Sequence, residues 1–172
     1  MATGMDLSLP TDTLLLSPDL VDFMLGPVSI KIGSCSAGVP SVAQGFGCQI
    51  AADRRKVCVF VSESRCAGVL RDLRAGAAVA VVFSRPQTHR TLQLKAPLAR
   101  IEALMPGDQA LIDIHGQRTT RELTSLGYPL QFAQGVMTLG DCQDAVRVCF
   151  EPALAFDQTP GAGAGMQLEI KP

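Results

Sequence analysis

Neither sign of charge is in excess in this chain: 15 Lys and Arg stand against 16 Asp and Glu, a formal balance of -1. That removes any general electrostatic attraction to nucleic-acid backbones or acidic membranes, so neither is expected as a partner. Histidine is scarce, with only His89 and His115, too few for a histidine-rich metal centre. None of the six cysteines lies in a CxxC pair, which argues against a zinc site, and no metal is expected. Long apolar runs are missing too. The longest, Ala75 to Phe83, is too short to cross a bilayer as a helix. The first residues also lack the basic start and apolar stretch of a signal peptide. A cytoplasmic protein is therefore expected, with Cys35, Cys48, Cys58, Cys66, Cys142 and Cys149 as reduced thiols, most of them acting as small buried hydrophobes.

What is present is apolar material: 47% of the 172 residues are hydrophobic and 18% charged, enough for one domain spanning residues 1–172 with a sizeable core. Residues 1–16 show no periodicity and read as an arm. A short helix should follow, capped by Ser17, with Pro18 in its first turn and Asp19 at its positive end. Gly26-Pro27 stops it. Alternation of Val28, Ile30 and Ile32 with Ser29 and Lys31 marks a strand. A turn at residues 37–40 leads to a second strand over 41–52, and residues 56–61 read as a third.

Ser62 is the expected N-cap of the best-marked helix, in which Cys66, Val69, Leu70 and Leu73 share an apolar face. Residues 77–83 read as a buried strand. Residues 90–101 form one long strand with Leu92, Leu94 and Leu98 on one face and Thr91, Gln93 and Lys95 on the other. A helical region over 106–126 contains Gly116 as a candidate break and ends at Gly127 and Pro129. The last strand alternates Val146, Val148 and Phe150 with Arg147 and Cys149, and residues 158–172 read as a loop or flap. Strands joined mostly by turns favour an antiparallel barrel over a parallel dinucleotide fold, because a parallel sheet needs a crossover helix between most strands.

Two places have the chemistry to hold a ligand. At Ser62-Glu63-Ser64-Arg65-Cys66 a strand runs into a helix start, where free N–H groups, hydroxyls and a guanidinium suit an anion; plain helix capping explains the same serines. The polar row Thr91, Gln93, Lys95 faces a ligand, a partner subunit or only water. Arg54 and Arg55 read as a solvated pair at a turn. The glycine-rich tail has neither GxGxxG nor GK[ST], so it is no phosphate cradle. Cys66 sits near a helix start beside Arg65, conditions that lower a thiol pKa, but on an apolar face that argues for burial. Neither histidine has a recognisable triad partner, and no catalytic residue is assigned.

Three segments in this order resemble the pyridoxamine 5′-phosphate oxidase-like family: Ser36-Ala37-Gly38-Val39-Pro40, Ser64-Arg65-Cys66-Ala67-Gly68-Val69-Leu70 and Arg90-Thr91-Leu92-Gln93-Leu94-Lys95-Ala96. The resemblance covers about residues 26–160. It implies a mainly β fold with inserted helices, a six-stranded antiparallel split β-barrel, working as a homodimer that binds FMN between subunits, with F420 or haem as alternatives. It implies that Ser64, Arg65 and Cys66 hold the cofactor phosphate, that Phe60, Val61 and Ser62 lie beside the isoalloxazine ring, and that Arg90, Thr91, Gln93 and Lys95 approach the flavin. Cys66 and Ala67 stand where the family commonly has Lys and Gly, and Thr91 and Ala96 where it often has Gln and Gly. The function implied is an FMN-dependent oxidoreductase acting on a small molecule; the alternative is a non-catalytic protein that binds or senses flavin, F420 or haem.

Overall fold

A computed structural model describes residues 12–137 and 144–169. Cys142 and parts of the expected arm and flap lie outside those residues. Helix α1 (Pro18–Met24) begins as expected: Ser17 Oγ accepts the Leu20 N–H at 3.3 Å, with Pro18 in the first turn. The chain before it is fastened down, since Leu14 N–H donates to Pro152 O and Leu16 N–H to Arg54 O.

The strands β1 (Ser29–Ser36), β2 (Val39–Ile50) and β3 (Val57–Ser62) follow one another as antiparallel neighbours. Helix α2 (Ala67–Arg74) then leads to β4 (Val79–Ser84), which pairs with the other edge of β1. The expected single strand over 90–101 is two strands, β5 (Thr91–Ala96) and β6 (Ala99–Ala103). Pro97 between them has no N–H to give a ladder. The halves separate, β5 beside β4 and β6 at the far edge of the sheet. Leu98 is consequently exposed instead of facing inward with Leu92 and Leu94.

Helix α3 (Asp108–Ser125) is followed by a helix the sequence pattern did not reveal, α4 (Leu130–Met137); Gly116 does not break α3 but is buried within it. The chain closes with β7 (Ala145–Phe150), β8 (Leu154–Asp157) and the short β9 (Met166–Gln167), so part of the expected flap is strand.

Among the described residues nine strands form one antiparallel sheet in the order β6-β7-β3-β2-β1-β4-β5-β8-β9. This corrects the expected count of six. Splitting of the β5/β6 segment and the late strands β8 and β9 account for the additional members, and no ladder joins β6 to β9 among the described residues. The fold is mainly β and antiparallel with helices inserted, as expected.

The sheet curls around one apolar core that collects Ile30 and Ile32 from β1, Val57, Val59 and Val61 from β3, Val79, Val81 and Phe83 from β4, and Leu92 and Leu94 from β5. Burying these side chains supplies the main stabilisation, at about 25 cal/mol per Å² of apolar surface. β2 carries a bulge between Gly45 and Cys48. A Cβ at Gly45 would fall 2.8 Å from both Ile30 Cγ2 and Val59 Cγ1, so only glycine fits.

β3 is buried on both faces. Its outward residue Phe60 packs with Phe46 of β2 and Ile112 of α3 in a second apolar cluster. The same outward face holds a correction to the cysteine expectation. Register places Cys58 of β3 opposite Cys149 of β7, and the two form a disulfide. No local spacing announces this pair, because the residues are 91 apart in sequence and meet only through the ladder. Cys35, Cys48 and Cys66 are free, the last two buried.

Candidate functional site

Ser62 ends β3, and α2 does not begin there but at Ala67, with Cys66 as its N-cap residue. The intervening residues form a turn that leaves four amides to be satisfied. Each has an acceptor. Glu63 N–H donates to Asp144 O at 2.9 Å, Ser64 N–H to Asp144 Oδ2 at 2.8 Å, Arg65 N–H to Ser62 Oγ at 3.3 Å and Cys66 N–H to Ser62 O at 2.9 Å. The Ser62 and Ser64 hydroxyl oxygens lie 3.2 Å apart.

The turn therefore does hold an anion, and that anion belongs to the chain. The Ser64 hydroxyl and amide, with the Ser62 hydroxyl, hold the Asp144 carboxyl down at about 2. Its Oδ1 is shielded from solvent and makes no hydrogen bond among the described residues. Asp144 lies 80 residues from Ser64, so nothing local to either residue announces the contact.

The other residues of this turn divide between surface and core. Ser64 and Arg65 are exposed, whereas Phe60, Val61, Ser62 and Cys66 are buried. The Arg65 guanidinium carbon stands 6.0 Å from the Phe46 ring centroid and makes no ion pair among the described residues. Neighbouring Glu63 is answered by Arg74 at 2.8 Å. The Cys66 thiol points into the main core with Val69 and Leu70, and burial pushes its pKa up to about 11. That settles the sequence ambiguity toward packing: Cys66 is a core side chain and not an activated thiol.

The β5 residues form a separate group. Thr91, Gln93 and Lys95 share the outward face, as their alternation requires, with Leu92, Leu94 and Ala96 turned to the core. Thr91 Oγ1 lies 2.8 Å from Ser84 Oγ, Gln93 Oε1 accepts from Gln158 Nε2 at 3.2 Å, and the Lys95 ammonium sits 4.8 Å from the Phe156 ring centroid. Arg90 pairs with Asp19 of α1 and stacks 4.4 Å over the Phe23 ring. The hydrogen bond and charge of Arg90 hold the Asp19 carboxyl below the usual carboxylate range. Arg90 and Thr91 also line a cavity of about 450 Å³ whose floor includes Leu16, Leu20 and Leu92.

In the sheet β2, β1 and β4 stand between β3 and β5, and no hydrogen bond or ion pair joins the two groups among the described residues. Of the two histidines, His89 is exposed at a turn with φ 58°. His115 is buried in α3, where it packs beside Gly47 of β2. Among the described residues no cluster of His, Cys, Asp and Glu could hold a metal ion.

No protein-family model matches this chain, and no curated protein matches it. Solved structures do resemble it. HupZ from Group A Streptococcus is 12% identical with a TM-score of 0.52, covering 87% of this chain and 99% of that one. A putative pyridoxamine 5′-phosphate oxidase from Lactobacillus delbrueckii is 13% identical with a TM-score of 0.51 and the same coverage. A NimC/NimA family protein from Clostridium acetobutylicum is 8% identical with a TM-score of 0.50, covering 87% of this chain and 90% of that one. The likeness extends along nearly the whole of each neighbour and shows a shared fold: the chain has the mainly antiparallel β fold of the pyridoxamine 5′-phosphate oxidase-like proteins, with nine strands in one sheet among the described residues rather than the six expected.

Proposed function

We propose that this chain is a flavin-binding protein, an FMN-dependent oxidoreductase that acts on a small molecule as a homodimer in the cytoplasm. The observation that carries the reading is the turn at Ser62–Cys66, which stabilises an anion through the Ser64 amide and two serine hydroxyls. Beside it Arg65 keeps an exposed guanidinium with no carboxylate partner among the described residues. Those donors suit a phosphate monoester. Ser64 and Arg65 would hold it, while the buried Phe60 and Val61 would meet a ring only through backbone. Bound flavin would supply the redox chemistry, and the protein's part is to bind and orient it.

The separation of the two groups supports the homodimer. A second copy is needed to bring β5 residues such as Thr91, Gln93 and Lys95 against the Ser64–Arg65 turn, since one sheet keeps them three strands apart. The Lactobacillus neighbour, a putative pyridoxamine 5′-phosphate oxidase, agrees with this reading. No described helix is long and apolar enough to cross a membrane.

The test is a comparison of FMN with riboflavin, which lacks the phosphate. Arg65→Ala is expected to weaken FMN by the value of a charge-assisted contact, about 1.5 to 3 kcal/mol, and to leave riboflavin within roughly twofold. Equal weakening of both would defeat the phosphate assignment. Reoxidation of bound, reduced flavin by an added acceptor separates an oxidoreductase from a non-catalytic binder of flavin, F420 or haem.

A further inference from the structure

The amide accounting at the turn has a consequence for which flavin the site takes. Three of the four N–H groups are held by backbone carbonyls or by a buried hydroxyl: Glu63 by the Asp144 carbonyl, Cys66 by the Ser62 carbonyl and Arg65 by the hydroxyl of the buried Ser62. The fourth, Ser64 N–H, is held by a side chain, the Asp144 carboxylate at 2.8 Å. An incoming phosphate can claim only this amide, the exposed Ser64 hydroxyl and the Arg65 guanidinium. The amide is already taken by a group of the same charge as the phosphate.

We propose that Asp144 is a specificity-determining residue that competes with the phosphate of FMN for the Ser64 amide, and so sets the preference of the site between phosphorylated and unphosphorylated flavin. This rests on the reading of the turn as the cofactor's anion seat. The charge of Asp144 has no cation to answer it among the described ion pairs, unlike that of Glu63, which Arg74 neutralises. A phosphate arriving beside Asp144 meets uncompensated like-charge repulsion in addition to an occupied donor. Riboflavin ends in a hydroxyl and meets neither obstacle.

Asp144→Asn tests the idea with little structural change, because the amide oxygen still accepts from Ser64 N–H while the charge is gone. Affinities for FMN and riboflavin are read by quenching of flavin fluorescence. The variant is expected to bind FMN at least tenfold more tightly than the parent, with riboflavin changed by less than about twofold. Adding Arg65→Ala to it should remove most of the gain. A folded Asp144→Asn protein with an unchanged ratio of FMN to riboflavin affinity overturns the role of Asp144 and leaves the flavin reading standing. Failure of parent and variant alike to bind either flavin overturns the flavin reading and this inference with it. Should Asp144→Asn not fold, Asp144→Ser keeps a small acceptor without the charge, and the same ratio decides the matter.

Discussion

Arg147 Nε lies 3.6 Å from Asp108 Oδ2 beneath the start of α3, and both side chains are almost wholly shielded from solvent. Arg147 also donates through Nη2 to Gln49, while Nε and Nη1 make no hydrogen bond. Asp108 accepts the Met105 N–H at 2.7 Å, closing the loop that leads into α3. The pair thus fixes the helix to the outward face of β7, next to Phe60 in the ladder.

Breaking such a pair from one side leaves a buried charge uncompensated, which costs about 3 to 5 kcal/mol. Asp108→Asn keeps an acceptor for Met105 and removes only the charge, so urea unfolding is expected to show a loss of that size. Arg147→Met with Asp108→Asn should recover most of it, since no lone charge remains. Equal stability of the single and double variants would show that the Arg147 charge left alone carries no penalty.

The alternation of Val28–Ile32 and of Thr91–Lys95 made most strand positions legible, because a half-buried strand must repeat every two residues. Ser17 and Pro18 likewise revealed α1, since capping chemistry is local. What stayed hidden depends on partners distant in sequence. Cys58 and Cys149 meet only through the β3–β7 register, and Asp144 reaches Ser64 only once β7 is laid beside β3. The apolar pattern ran straight through Pro97, so the strand break there was missed. Of the site residues, Ser64 and Arg65 were legible as donors at a strand-to-helix junction, but the turn that precedes the helix and its intramolecular occupant were not.

The thiols should differ sharply in reactivity. Cys35 is exposed, whereas burial raises the Cys48 thiol to about 12 and the Cys66 thiol to about 11. Brief alkylation of native protein at pH 8 followed by peptide mapping should mark Cys35 and spare the other two. Cys66→Lys would force an ammonium against Val69 and Leu70 and is expected to cost on the order of 3 kcal/mol or more. It should bring no FMN-selective gain, and a stable variant with tighter FMN binding would place that side chain at the phosphate instead.

The Cys58–Cys149 bond closes a loop of 91 residues across two paired strands. By loop entropy its reduction is expected to cost about 4 to 5 kcal/mol. Intact mass with and without reductant checks the bond, through a gain of two hydrogens. Denaturant midpoints for the parent and Cys149→Ala check its effect. Identical midpoints would show that the β3–β7 ladder holds without it.

His115 should make the fold sensitive to mild acid. Burial, and then the positive charge of Arg118, lower its pKa from 6.5 to about 4, against a smaller opposing effect from the Val28 backbone. The unfolded chain therefore takes up the proton first. Stability is full above the unfolded value of 6.5 and falls as pH drops toward the folded value of about 4, below which the loss levels off. The difference corresponds to roughly 3 kcal/mol, at about 1.4 kcal/mol per pKa unit. The carboxylates with lowered values do not confuse this window, because Asp19, Asp72, Asp144 and Asp157 begin to lose their contribution only near the ordinary carboxylate value of 3.8 and below. Urea unfolding of the parent should lose about 2 kcal/mol between pH 7 and pH 5. His115→Gln should lower stability at pH 7 through altered packing while flattening the curve between those two values. A parent and variant with parallel pH profiles would mean that His115 is protonated in the folded state or reached by solvent.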